Sequence, residues 1–165
     1  MLSLLLILIA LCARECTPQK CYYGPANSNQ VICFNMTSVV EIKDNVENQD
    51  LIEIFELSHS VLPNLSITAL KFLPSLKEIK ISSSHISRLS SEEENTDGLN
   101  GFPVCKITLE GNHMQVIEPN SFYGLSNLRE LSLKGNEIKE IDASTTFQYL
   151  SQLDLSHNSI SKIGK

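Results

Sequence analysis

The chain has 165 residues, with 19 Asp and Glu against 13 Lys and Arg, a formal net charge of −6. Such an acidic balance argues against nucleic acid or an anionic membrane surface as the partner. No basic patch and no phosphate-cradling glycine loop relieves it, so nucleotide chemistry finds no support either.

From the N-terminus, Leu2 to Leu11 are almost wholly apolar, and the run breaks at Arg14-Glu15. A bilayer crossing needs about 20 apolar residues, so this run is too short to span. It fits the core of a secretory signal peptide over residues 1–13, with small residues near Cys12 and Ala13 for cleavage. An uncleaved anchor is the alternative. No later apolar stretch is long enough to span, and the product is expected to be secreted and extracellular, with no membrane span.

Residues 14–51 are expected to form an N-terminal cap. Cys16, Cys21, Cys33 and Cys105 remain once Cys12 leaves with the signal. An even number in an exported chain points to disulfides, with three connectivities open. Cys16, Cys21 and Cys33 stand where a stacked fold must close its first end. Cys105 either completes that cluster through a long-range bond or stays free beside an unpaired cap cysteine. The spacing of a zinc knuckle is missing and the compartment is oxidising, so no metal and no cofactor are expected. The sequons Asn35-Met36-Thr37 and Asn64-Leu65-Ser66 are acceptors for N-glycans on a secretory route. A glycan at Asn64 would shield that rim from a protein partner.

Residues 52–165 carry an internal repeat. Its clearest copy is LRELSLKGNEIKEI, Leu128 to Ile141, with apolar Leu128, Leu131, Leu133, Ile138 and Ile141 around Asn136. That spacing is neither a helix stripe nor simple alternation. It predicts a short strand burying Leu131 and Leu133, then a turn driving Asn136 inward, where its amide can satisfy backbone groups of neighbouring coils. Upstream, the template lands on Val104, Ile107, Leu109, Asn112, Met114 and Ile117, and downstream on Leu150, Leu153, Leu155, Asn158, Ile160 and Ile163. Two weaker copies precede these, around Leu76, Ile79, Ile81 and Ile52, Phe55, Leu57, with Ser84 and Ser60 in the asparagine's place. Serine makes only part of the same ladder, so looser turns are expected there.

The first positions, 52, 76, 104, 128 and 150, step by 24, 28, 24 and 22 residues. This is the leucine-rich repeat pattern, whose period runs from about 20 to 29 residues. It predicts an α/β-type solenoid of five coils, with a curved parallel β-sheet, a mostly irregular convex side and a cysteine-bearing N-terminal cap. Phe122, Leu125 and Leu128, and likewise Leu70, Leu73 and Leu76, supply the descending half of a coil. One coil cannot bury its own apolar face, so the copies must stack.

Side chains alternate across a strand, so the residues flanking the buried pair point to the concave face. Glu56, Lys80, Lys106, Thr108, Glu130, Ser132, Lys134 and Asp154 are the candidate partner-binding residues there. Equivalent positions in adjacent coils are neighbours, which sets Glu78, Lys106 and Glu130 in one alternating row, Glu56 beside Lys80 and Glu110 beside Lys134. The row reads either as a mixed-charge recognition surface or as a sheet neutralising itself, each exposed pair giving under about 1 kcal/mol.

The 28-residue step holds an acidic insertion, Ser91 to Gly101. Its acidic residues do not follow calcium-loop spacing, and turn residues fit a solvated loop. His59 and His157 share one repeat position at opposite ends of the sheet, while His85 and His113 share another in adjacent coils and can approach each other. Asp154, Ser156 and His157 invite a triad reading, yet DLSHN is what the repeat itself produces, and nothing supplies an oxyanion hole. The chain is therefore read as no enzyme, with no catalytic residue.

The cap followed by irregular early repeats resembles the insect leucine-rich repeat immune proteins of the mosquito haemolymph type. That resemblance implies a non-catalytic recognition protein of innate immunity acting by protein–protein contacts, for example with complement-like factors or microbial surfaces. A matrix or adhesion protein, or the N-terminal piece of a Toll-like receptor ectodomain, are the alternatives. The chain stops at Lys165 within its fifth coil, where longer members of that group continue. Either it belongs to a longer protein, or its uncapped end is buried against a partner or a second copy.

Overall fold

A computed structural model describes residues 20–26, 28–90, 99–142, 147 and 149–164. The signal segment, Cys16 and the acidic part of the insertion lie outside them. Twelve strands follow in chain order among the described residues. Those of the main sheet are β1 (Cys21–Tyr23), β2 (Gln30–Phe34), β3 (Ile54–Ser58), β5 (Glu78–Ser82), β7 (Lys106–Thr108), β9 (Glu130–Ser132) and β11 (Gln152–Asp154). Between them lie β4 (Asn64–Leu65), β6 (Arg88–Leu89), β8 (Val116–Ile117), β10 (Glu140–Ile141) and β12 (Lys162–Ile163).

The main sheet runs β1-β2-β3-β5-β7-β9-β11. From β2 onward each strand is parallel to the next, and the repeat spacing sets the register: Phe55 lies beside Ile79, Ile79 beside Ile107, Ile107 beside Leu131, and Leu131 beside Leu153. The other side of each coil is more regular than the sequence suggests. The two-residue strands β4-β6-β8 and β10-β12 pair in parallel, and a 3-10 turn spans Ile67–Leu70. Coils of near-constant length bring these dipeptides into line, so their backbone groups pair with one another.

The inward positions make one continuous core. Phe55, Leu57, Ile79, Ile81, Ile107, Leu109 and Leu133 are fully buried, as are Leu70, Leu73 and Leu76 of the descending segments. Each such side chain contributes about 1.5–3 kcal/mol on leaving water.

A ladder of serine and then asparagine side chains runs from Ser60 to Asn158. Asn136 Nδ2 donates to the carbonyls of Leu109 (2.7 Å) and Leu133 (2.8 Å), and its Oδ1 accepts from the backbone N–H of Asn112 and Met114. Asn112 bonds Ile81 and Glu110 in the same way and accepts from Ser84 N. Serine keeps part of this. Ser84 Oγ accepts from Ser60 N, and Ser60 Oγ from Met36 N, but each hydroxyl donates only to the carbonyl two residues back. The reach to the preceding coil needs the second amide hydrogen that serine lacks.

The residue before each ladder position has a left-handed backbone: His59 (φ 51), Ser83 (φ 49), Gly111 (φ 62), Gly135 (φ 68) and His157 (φ 56). Gly111 and Gly135 adopt it without a Cβ clash, whereas the histidines accept a steric cost. That shared turn position accounts for the matching placement of His59 and His157.

The cap is itself a coil of the solenoid. β2 lies parallel to β3 with Val31 beside Phe55 and Cys33 beside Leu57, and Asn35 takes the left-handed turn position (φ 56). β1 then adds one antiparallel strand, and a disulfide joins Cys21 to Cys33 across the pair. Cys105 is free and exposed, so of the two arrangements open to it the long-range bond to Cys21 or Cys33 is ruled out. A helix, α1 (Val39–Asn45), follows β2 and contributes Ile42 to the core. Ser38 caps it through Glu41 N, Glu41 reaches back to Thr37 N, and Ile42 is buried.

Candidate functional site

The face of the main sheet turned away from the core brings the candidate partner-binding residues together. Glu78, Lys106 and Glu130 are in register, and Lys106 Nζ lies 3.6 Å from Glu78 and 3.1 Å from Glu130. Glu130, and then Glu78, hold the Lys106 ammonium above its ordinary value. The expected row exists as a continuous ion chain.

Two pairings expected from register alone are not made as ion pairs. Lys80 lies beside Glu56 in the ladder but turns to Glu78 on its own strand, at 3.4 Å. Glu56 Oε2 instead accepts from Gln30 Nε2 at 3.0 Å. Glu110 accepts the Ser132 hydroxyl at 2.6 Å rather than the Lys134 ammonium. Register fixes which residues are neighbours, while a long side chain still chooses among several carboxylates around it.

Toward the last coil, Lys106, Thr108, Glu110, Glu130, Ser132 and Asp154 line a shallow, mainly polar depression. Asp154 Oδ1 accepts from Ser156 N at 2.8 Å. Its bonds with Ser156 hold the Asp154 carboxyl below its ordinary value, with Lys134 and His157 adding to the effect. The carboxylate thus ties down its own turn, and the triad spacing belongs to the repeat.

Elsewhere, the rings of His85 and His113 stack 5.5 Å apart, and His113 Nδ1 lies 2.8 Å from Glu137. That hydrogen bond is the main reason the Glu137 carboxyl lies below its ordinary value. Among the described residues no three His, Cys, Asp or Glu side chains converge as a metal site. Nor, among them, is any helix long and apolar enough to cross a membrane. Asn35 and Asn64 are both exposed, the first in the cap turn and the second in β4, away from the main sheet.

Sequence reasoning missed part of this face. Because β2 continues the sheet, Ile32 and Phe34 stand in line with Glu56 and Ser58, and Tyr22 lies opposite Ile32. The alternation in QVICF was the available signal, and its cysteine drew the reading toward a separate cap.

Comparison with known proteins agrees with the geometry. Residues 104–160 match the family described as Leucine rich repeat. The chain is 27% identical over 139 residues to podocan-like protein 1 of Mus musculus, covering 79% of this chain and 23% of that protein. It therefore spans less than a quarter of that relative's length. The leucine-rich repeat match covers residues 104–160, and the inward leucines, buried ladder and parallel strands of that part continue with the same spacing in the coils before it.

Proposed function

We propose that this leucine-rich repeat chain is a secreted, non-catalytic recognition protein that binds another protein through the outer face of its main sheet. The observation that carries this reading is the face itself. Six parallel strands from β2 to β11 place outward side chains side by side, exposed or half-buried, over a rigid core. A rigid array of this kind can meet a folded partner with little ordering cost. Export is supported by the apolar run at 2–11, the Cys21–Cys33 disulfide and the two exposed sequons. A role in innate immunity rests on the resemblance of cap and early repeats to insect immune proteins. The second reading, a matrix or adhesion protein, is favoured by the likeness to podocan-like protein 1.

A glycan wedge tests the binding face. Thr108→Asn with Glu110→Thr creates a sequon in the middle of the sheet's outer side. Partners captured from extracellular fluid by the unmodified protein are expected to be lost with this variant and kept when only Asn64 carries a glycan. Unchanged capture by the wedged protein would move the binding site off the sheet.

A further inference from the structure

The outer face changes character at its N-terminal end. Across β3 to β9 its lysines are already engaged. Lys80 pairs with Glu78, and Lys106 with both Glu78 and Glu130. Glu56 is left with a neutral donor, the Gln30 amide, and among the described residues no cation is paired with it. A carboxylate has about four acceptor sites, so most of its capacity stays open toward solvent.

On the strands next to that carboxylate lies an aromatic shelf. Tyr22 and Phe34 stack with ring centroids 5.3 Å apart and planes 11° apart, and Tyr22 is 42% exposed. Ile32 sits opposite Tyr22 on one side and in register with Glu56 on the other. Neighbouring strands are about 4.8 Å apart, so Phe34 lies one strand from Glu56 and Tyr22 one strand further, a span that an extended arginine side chain can bridge. A planar guanidinium can lie on an aromatic surface and present its N–H fork to a carboxylate at once. A lysine ammonium is a compact, strongly hydrated point charge and cannot match that pairing.

We infer that Tyr22, Phe34 and Glu56 form an arginine-binding subsite, and that the partner of this face is a polypeptide presenting an exposed arginine to it. The inference rests on the reading of the main sheet as a protein-binding face. Glu56 forks the guanidinium, the shelf carries its stem and plane, and Gln30 holds the carboxylate in place. The net charge of −6 favours approach of such a basic partner.

The test uses the full chain, isotope-labelled, titrated separately with N-acetyl-arginine amide and N-acetyl-lysine amide while backbone amide shifts are followed. Arginine is expected to move the amides of Ile32, Phe34 and Glu56 saturably, and lysine to move them at least severalfold less. Glu56→Gln should weaken the arginine response about tenfold, the loss of one charge-assisted hydrogen bond. Glu110→Gln, a carboxylate on the same face without an aromatic neighbour, should leave it unchanged. A lysine response equal to that of arginine, or a response indifferent to Glu56→Gln in a folded protein, would overturn the subsite. If the subsite fails while the glycan wedge still blocks partner capture, the binding face stands without it; if both fail, so does the face.

Discussion

Two coils of the stack, at β3 and at β11, follow one template and differ in exposure. In the coil of β3, Phe55 and Leu65 are 0% and 1% exposed. At the last coil the equivalent Leu153 and Ile163 are 40% and 74% exposed. The residue types match; the neighbours differ. β3 is covered by β2, behind which come β1 and the disulfide, whereas among the described residues no strand lies beyond β11. In a stacked fold, stability resides in the contact between coils more than in any coil alone.

The largest expected effect sharpens this contrast. Phe55→Ala should cost about 3–5 kcal/mol, because it empties a closed core, while Leu153→Ala should cost under about 1 kcal/mol at a site already open to water. Urea unfolding of the two variants would read the difference, and equal losses would break the comparison.

Next comes the ladder. Asn136→Ala strands the N–H groups of Asn112 and Met114 and the carbonyls of Leu109 and Leu133, so about 3 kcal/mol should be lost. Ser84→Ala removes one accepted and one donated bond and should cost about 1 kcal/mol. Removing the cap bond through Cys21→Ser with Cys33→Ser opens a link between residues 12 apart. That should destabilise by about 2–3 kcal/mol, seen as a lower melting temperature, whereas Cys105→Ser should leave the melt unchanged.

The smallest effect is on pH. Lys20 and Thr37 hold the Glu41 carboxyl below its ordinary value, and Lys77 does the same for Glu53. A depressed folded value means these contacts contribute fully above the unfolded value and are lost as pH falls through the folded one. Melting temperature should therefore drop modestly below about pH 4, and less at high salt, since the groups are exposed. A melt flat from pH 7 to pH 3 would remove these pairs from the account.

The sequence disclosed the coils because leucine spacing and the inward asparagine are direct consequences of a turn that buries its own backbone. Leu131, Leu133 and Asn136 could be read without a neighbour in view. The coil at Val31, Cys33 and Met36 could not. It has no ladder side chain, since Met36 contributes only a backbone N–H to Ser60, and its cysteine suggested a closed cap. Most of the outer face was likewise legible, as its residues alternate with buried ones. The choice of Lys80 for Glu78 over Glu56 was not, because adjacent carboxylates at similar distances differ by less than the pattern can resolve. The Tyr22–Phe34 shelf escaped for the same reason as its coil.

Native-state hydrogen exchange tests the central claim most directly, because it reads stability coil by coil in one experiment. The expected profile has its highest protection at the β3 and β5 amides, such as Leu57 and Ile81, and falls steadily to β11 and β12. Protection at Leu153 and Ile163 equal to that at Leu57 and Ile81 would contradict it. Stability would then not depend on a covering neighbour, and the contrast between the two coils would fail.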